Sequence, residues 1–196
     1  MCRIVAVNSV TVDGVTQAPG HPDEDRRGGF TQGGWAAPYG DSVFADAMAK
    51  SMSTTGALLF GRRTYEHFFA VWPNQPEPNP FTDVLNRTRK YVASRTLTEP
   101  LPWQNSTLLA GEAAAAVREL KKQPGKDVVI LGSGALVRSL MAHGLVDEFL
   151  LAIHPVVLGS GQRLFDGATA SLRLTESVTT TTGVVVATYR AEEGTR

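Results

Sequence analysis

The sequence predicts an α/β fold, a mostly parallel sheet flanked by helices and finished at one edge by an antiparallel hairpin. Three observations carry this. Short apolar runs alternate with helix-period segments from residue 3 to residue 154, the order that builds parallel sheets. The run Val128-Val129-Ile130-Leu131 is apolar at every position, as expected of a strand covered on both faces. Beyond Pro155 no stretch has helical period, and two strand-like runs, 172–178 and 184–189, flank a threonine-rich turn.

The elements follow in order. Residues 3–9 are rich in strand formers and lead to the turn pair Asp13-Gly14. Residues 17–40 are crowded with glycine, proline and charge and read as one long loop, of the kind that is functional or disordered. Asp41 or Ser42 then caps a helix with Val43, Phe44, Ala47, Met48, Ser51 and Met52 on one face, stopped at Gly56. Residues 57–60 form a short buried strand, and Gly61-Arg62-Arg63-Thr64-Tyr65 opens a second helix that runs through Phe69. A proline-rich segment leads to a short helix near 82–87, then strands at 91–94 and 107–109. An alanine-rich helix spans 112–122 and ends at Pro124-Gly125. The strand 128–131, the turn Gly132-Ser133-Gly134, a helix over 135–143 and a strand over 147–154 complete the alternation.

Composition narrows the functional classes. A chain of 196 residues, against about 150 residues per domain, predicts one domain over 1–196. With 42% hydrophobic and 19% charged residues it has material for a core. Nineteen basic residues balance nineteen acidic ones, so the basic excess of a nucleic-acid binder is missing and no such partner is expected. Cys2 is the sole cysteine, which excludes a disulfide within the chain and a cysteine metal cluster. No run approaches the ~18 apolar residues of a membrane span, and the apolar start is too short for a signal segment. A cytoplasmic protein without membrane partner or metal is the expectation.

Three strand-to-loop junctions suit phosphate. Gly61-Arg62-Arg63-Thr64 puts two guanidinium groups and a hydroxyl at a helix N-terminus, where free N–H groups favour an anion. Ser94-Arg95 pairs a hydroxyl with a guanidinium at a strand end. Gly132-Ser133-Gly134-Ala135 lets backbone approach a pyrophosphate closely. Each has a structural reading beside it, a tight turn or a solvated helix start; all three at sheet ends fit a dinucleotide. The third departs from Gly-x-Gly-x-x-Gly, since Val137 stands where the last glycine belongs. No acidic residue lies about 20 positions on to hold a ribose hydroxyl, and the basic residues suit a 2′-phosphate. NADPH is therefore the cofactor expected.

The order Asp13-Gly14, Gly61-Arg62-Arg63-Thr64-Tyr65, Ala93-Ser94-Arg95 and Leu131-Gly132-Ser133-Gly134-Ala135-Leu136 resembles the dihydrofolate reductase superfamily. It is most similar to the branch of the reductase domain of the bifunctional riboflavin-biosynthesis protein, whose late segment resembles Pro155-Val156-Val157-Leu158-Gly159-Ser160-Gly161-Gln162-Arg163-Leu164-Phe165. The resemblance implies a three-layer α/β/α dihydrofolate-reductase-like fold and an NADPH-dependent reductase of a small heterocyclic, carbonyl or imine substrate, pterin- or ribosylamino-pyrimidine-like. It assigns cofactor phosphates to Gly61, Arg62, Arg63 and Thr64, the 2′-phosphate to Ser94 beside Arg95, and the pyrophosphate to Gly132, Ser133 and Gly134, flanked by Ala135 and Leu136. Ala6 and Leu131 are expected near the nicotinamide. The riboflavin branch also implies a homodimer.

The substrate side carries alternatives. Asp41 is read both as an N-cap and as the proton donor that folate reducers place at their first helix. Asp46 is the nearer match by counting but faces away from the Phe44/Met48/Met52 side. Asp13 is read as a turn-former or a substrate contact. Trp35 resembles the tryptophan of the family's mobile loop and is expected on the substrate side, and Phe44 and Met48 are either an apolar wall for a flat heterocycle or core packing. The competing class is a non-catalytic nucleotide- or ligand-binding protein on the same fold.

Overall fold

In the computed structural model, which describes residues 2–76, 79–167 and 169–192, one eight-stranded sheet organises the chain. In chain order the elements are β1 (Ile4–Thr11), α1 (Ser42–Met52), β2 (Thr55–Gly61), α2 (Arg62–Val71), α3 (Pro80–Arg87), β3 (Arg89–Ser94), β4 (Ser106–Ala110), α4 (Ala113–Lys122), β5 (Asp127–Leu131), α5 (Gly134–Met141), β6 (Glu148–His154), β7 (Leu172–Thr179) and β8 (Val185–Ala191). The strand order is β4-β3-β2-β5-β1-β6-β8-β7. The first six are parallel, and β8 and β7 add on antiparallel.

Alternation along each strand divides the core in two. Ile4, Ala6, Leu59, Ile130 and Phe149 pack with α4 and α5 on one face. Val5, Val7, Leu58, Phe60, Val129 and Leu150 pack with α1, α2 and α3 on the other. This is a three-layer α/β/α arrangement, and every residue of β5 is buried because both layers cover it. The fold is dihydrofolate-reductase-like, as the sequence resemblance implied.

Two local features depart from the sequence reading. β2 begins at Thr55 rather than 57, because a bulge at Gly56 shifts its register against β5. The segment 12–41 is also no structureless loop. Val15, Ala18, Phe30 and Trp35 form a small core of their own. Buried Gln17 ties it down, donating to Asp25 O and Arg27 O and accepting from the Gln162 N–H. Lys90 is the one charged side chain with no exposed surface among the described residues. Its Nζ donates to Leu85 O and Thr88 O at the end of α3 and lies 4.6 Å over the Trp103 ring; burial lowers its pKa to about 8.

Candidate functional site

β2 and β5 are neighbours, but the helices that follow them leave on opposite faces of the sheet. That divergence marks the switch point outside the carboxyl ends of the strands, the crevice where open α/β sheets bind ligands. Gly61-Arg62-Arg63-Thr64 and Gly132-Ser133-Gly134 form its two lips. They are strapped together, since the Gly61 N–H donates to Ser133 Oγ at 3.0 Å. A Cβ on Gly132, whose φ is +60°, would lie 3.5 Å from Thr64 Cγ2, and one on Gly61 would lie 3.7 Å from Leu136 Cβ.

The strap leaves donors free. Neither α2 nor α5 has a side-chain N-cap bond, nor does α4, whereas α1 and α3 are capped by Asp41 and Asn79. In α5 the Leu136 and Val137 N–H groups reach Ser133 O, which leaves those of Gly134 and Ala135 pointing past the helix end. Two adjacent helix N-termini with unspent N–H groups concentrate positive potential in one place. Arg62 adds a guanidinium held only by an exposed i,i+4 pair with Glu66, and exposed Arg63 has no acidic partner among the described residues. Ser94 ends β3, one strand over, one residue beyond the Gly61–Ala93 register. Its Oγ accepts from the Thr96 and Leu97 N–H groups, so it shapes the turn bearing Arg95, whose exposed guanidinium lies 3.8 Å from Glu112.

Other expected residues fall elsewhere. Ala6 has no exposed surface and packs in the α4/α5 core, so its side chain cannot meet a ligand. The β1 residue at the Gly132 turn is Asn8, two positions on and on the same face. It is 3% exposed, its Nδ2 donates to Gly132 O at 3.0 Å, and its Oδ1 has no partner. A buried amide oxygen without a donor is costly, which marks a place where a donor belongs. The signal was legible as a lone amide in an apolar strand run. Leu131 and Leu136 are also buried, as packing beneath the lips, while Ala135 is exposed.

Trp35 lies in the segment 12–41. It is buried in the small loop core with its indole N–H donating to Gln17 O, and it meets the His154 ring edge-on at 5.2 Å. It anchors the segment. Phe44 and Met48 are half-buried against the α1/α2 layer, with Phe44 6.2 Å from the His154 ring.

The two carboxylates are occupied as well. Asp41 Oδ1 accepts from the Phe44 N–H at 2.7 Å, and Oδ2 accepts from the Thr181 N–H and hydroxyl at 2.7 and 2.6 Å. The Thr181 bond first, then the Phe44 N–H, holds its carboxyl below the usual range. Asp13 accepts from the Thr11 hydroxyl and from the Leu158 and Gly159 N–H groups, which likewise lowers its pKa and clamps the 155–163 segment. Of the two readings of Asp41 the geometry matches the N-cap. Asp46 is exposed on the outer side of α1.

Residues 3–186 match the RibD C-terminal domain, and the chain belongs to that family. It is 30% identical over 194 residues to the uncharacterized protein YyaP of Bacillus subtilis (strain 168), covering 95% of this chain and 94% of that one. Among solved structures it superposes with a TM-score of 0.73 on a putative riboflavin biosynthesis protein from Shewanella sp. PV-4, at 18% identity, over 97% of this chain and 99% of that one. It also superposes on dihydrofolate reductase from Enterococcus faecalis, solved with NADP(H), with a TM-score of 0.60 at 13% identity over 97% of each chain. The fold is thus one shared by reductases.

Proposed function

We propose that this RibD C-terminal domain chain is an NADPH-dependent reductase of a small heterocyclic, carbonyl or imine substrate, pterin- or ribosylamino-pyrimidine-like. The observation that carries the reading is the pair of uncapped helix N-termini, α2 and α5, held side by side by the Gly61–Ser133 bond. The residues fit such a cofactor: the Gly134 and Ala135 N–H groups are unspent at the glycine turn, and Asn8 Oδ1 beside the same turn has no donor. When bound, the nicotinamide supplies hydride.

The chain's own work is orientation and shielding. The N–H groups of Gly134 and Ala135 receive the pyrophosphate, the Gly61-Arg62-Arg63-Thr64 turn receives the cofactor phosphates, and Ser94 with Arg95 receives the 2′-phosphate. Arg62 gives up only an exposed pair with Glu66, of a kind worth about 0–1 kcal/mol. Residues 12–41, pinned by Gln17 and Trp35, wall the crevice against water. Because Asp13 and Asp41 are spent on loops, the proton reaches the substrate from water. A homodimer is the assembly the family reading proposes.

The same commitment of Asp41 favours a second reading, a non-catalytic nucleotide-binding protein on this fold. Tryptophan-fluorescence titration with NADPH and NADH in parallel tests the first claim, followed by turnover with pterins, pyrimidines and small carbonyls. Arg62→Ala or Arg95→Ala is expected to weaken NADPH about 10- to 150-fold, the worth of a charged hydrogen bond, and to leave NADH nearly unchanged. Equal weakening of both removes the 2′-phosphate assignment, failure to bind either removes the reductase, and binding without turnover selects the second reading.

A further inference from the structure

A cavity of about 810 Å³ opens at the other end of the sheet, where β2, β3, β4 and β5 begin. It is separated from the crevice by the length of the strands, about 3.3 Å per residue. Arg87, Arg89 and Lys126 line it, and no aspartate or glutamate does. None of the three forms an ion pair among the described residues, although the chain as a whole is neutral. Three uncompensated cations around one concavity repel each other, and an anion is what relieves them.

The ordinary explanations do not absorb them. Arg87 lies in the last turn of α3, where a cation neutralises the helix dipole, but Lys90 already donates to the carbonyls of Leu85 and Thr88 there. Arg89 makes only a 3.5 Å approach to Tyr91 Oη on its own strand. Lys126 is seated closely: a Cβ on Gly56 would come within 2.8 Å of Lys126 Cβ, so glycine at the β2 bulge is what admits it. Ser106, also on the lining, carries a hydroxyl without a hydrogen-bond partner. The wall therefore has donors in surplus, with the Tyr91 ring and the Ala57 methyl as apolar surface between them.

We infer that this cavity is a second ligand site, taking a phosphorylated small molecule on Arg87, Arg89 and Lys126, separate from the cofactor crevice. Amide NMR of the full chain, titrated with inorganic pyrophosphate in 0.15 M NaCl, tests it. Saturable shifts are expected at residues 87–91, 105–107 and 125–127. Arg89→Gln with Lys126→Gln should weaken that binding at least about tenfold, as loss of charged hydrogen bonds does. The double variant should keep the wild-type melting temperature and NADPH affinity, because both side chains are exposed and distant from the crevice. Arg87→Gln gives an independent single-site check with the same expected direction. Shifts confined to 61–64 and 132–135, shifts that track added NaCl, or unchanged pyrophosphate affinity in the variants each overturn the assignment. None of these outcomes touches the reductase reading, which stands or falls on NADPH.

Discussion

Ser133 carries a strap and a strained backbone at once, so two substitutions there separate the effects. Its φ and ψ are +53° and +43°, the left-handed region, and its Oγ accepts the Gly61 N–H at 3.0 Å. Ser133→Ala keeps a Cβ in that conformation and orphans the Gly61 donor. An unsatisfied buried donor costs about 1–3 kcal/mol, and Gly61 is half-buried, so water reaches it and the lower part applies, about 1–2 kcal/mol. Ser133→Gly orphans the same donor but removes a left-handed penalty of about 1–2 kcal/mol, against roughly 0.4–1 kcal/mol of added unfolded-chain entropy. Glycine should therefore sit between wild type and alanine. In urea, with a slope of about 2 kcal/mol/M, alanine lowers the midpoint by roughly 0.5–1 M and glycine by less. Both should weaken NADPH, because the two helix starts lose their common anchor. An alanine variant as stable as wild type shows that the strap carries nothing. One more stable than glycine shows that the left-handed turn is not kept.

Gly161 has φ +109°, and a Cβ there would lie 2.8 Å from both Phe30 Cε2 and Val15 Cγ1. Overpacking of about 1–3 kcal/mol adds to backbone strain of about 1–3 kcal/mol, so Gly161→Ala should destabilise by about 2–6 kcal/mol and expose residues 17–40 to limited proteolysis; a change below about 0.5 kcal/mol contradicts the packing. His154, 2% exposed and ringed by Trp35, Tyr39 and Phe44, has its pKa lowered by burial first, against hydrogen bonds to Ala152 and Val10. Below 6.5 the unfolded chain takes up a proton that the folded chain refuses, so stability is full above 6.5 and falls on acidification, by up to about 1.4 kcal/mol per pH unit. Denaturation between pH 5 and 7.5 should show that slope, and His154→Phe should flatten it; an equal slope in both proteins assigns it elsewhere.

What the sequence made legible was what its local pattern determines. The apolar run of β5, the glycine turn after it and the Gly-Arg-Arg-Thr helix start all stand where their chemistry put them. Which strand β5 enters between is decided by contacts far apart in the chain, and only that placement brings Gly61 against Ser133. Ala6 and Asn8 show the limit in one strand. They share a face, but whether a given position on it meets core or crevice depends on how far Gly132 lies along the neighbouring strand, and that register is a tertiary property. The surroundings of Trp35 are hidden in the sequence for a similar reason. A loop dense in glycine and proline has no period to read, and its order comes from Gln17 and Gln162 meeting 145 residues apart.

Asp41 had two readings in the sequence, and a single substitution separates them. In Asp41→Asn one amide oxygen replaces two carboxylate oxygens. It can keep the Phe44 N–H or the Thr181 pair but not both, and the new NH₂ would face donors. The tie between α1 and the β7–β8 turn, which Thr182 Oγ1 reinforces on Tyr39 O, should loosen and the melting temperature fall. Removing a true general acid lowers kcat about 10²- to 10⁴-fold. With whichever substrate of the pterin, pyrimidine and carbonyl screen is turned over, Asp41→Asn should change kcat less than about threefold, since nothing in its bonding leaves a proton to give. The pH profile of kcat should not move either, because the carboxyl is already held in its charged form. A kcat collapse with an unshifted melting temperature would return Asp41 to the chemistry and show that the Thr181 contact opens when substrate binds.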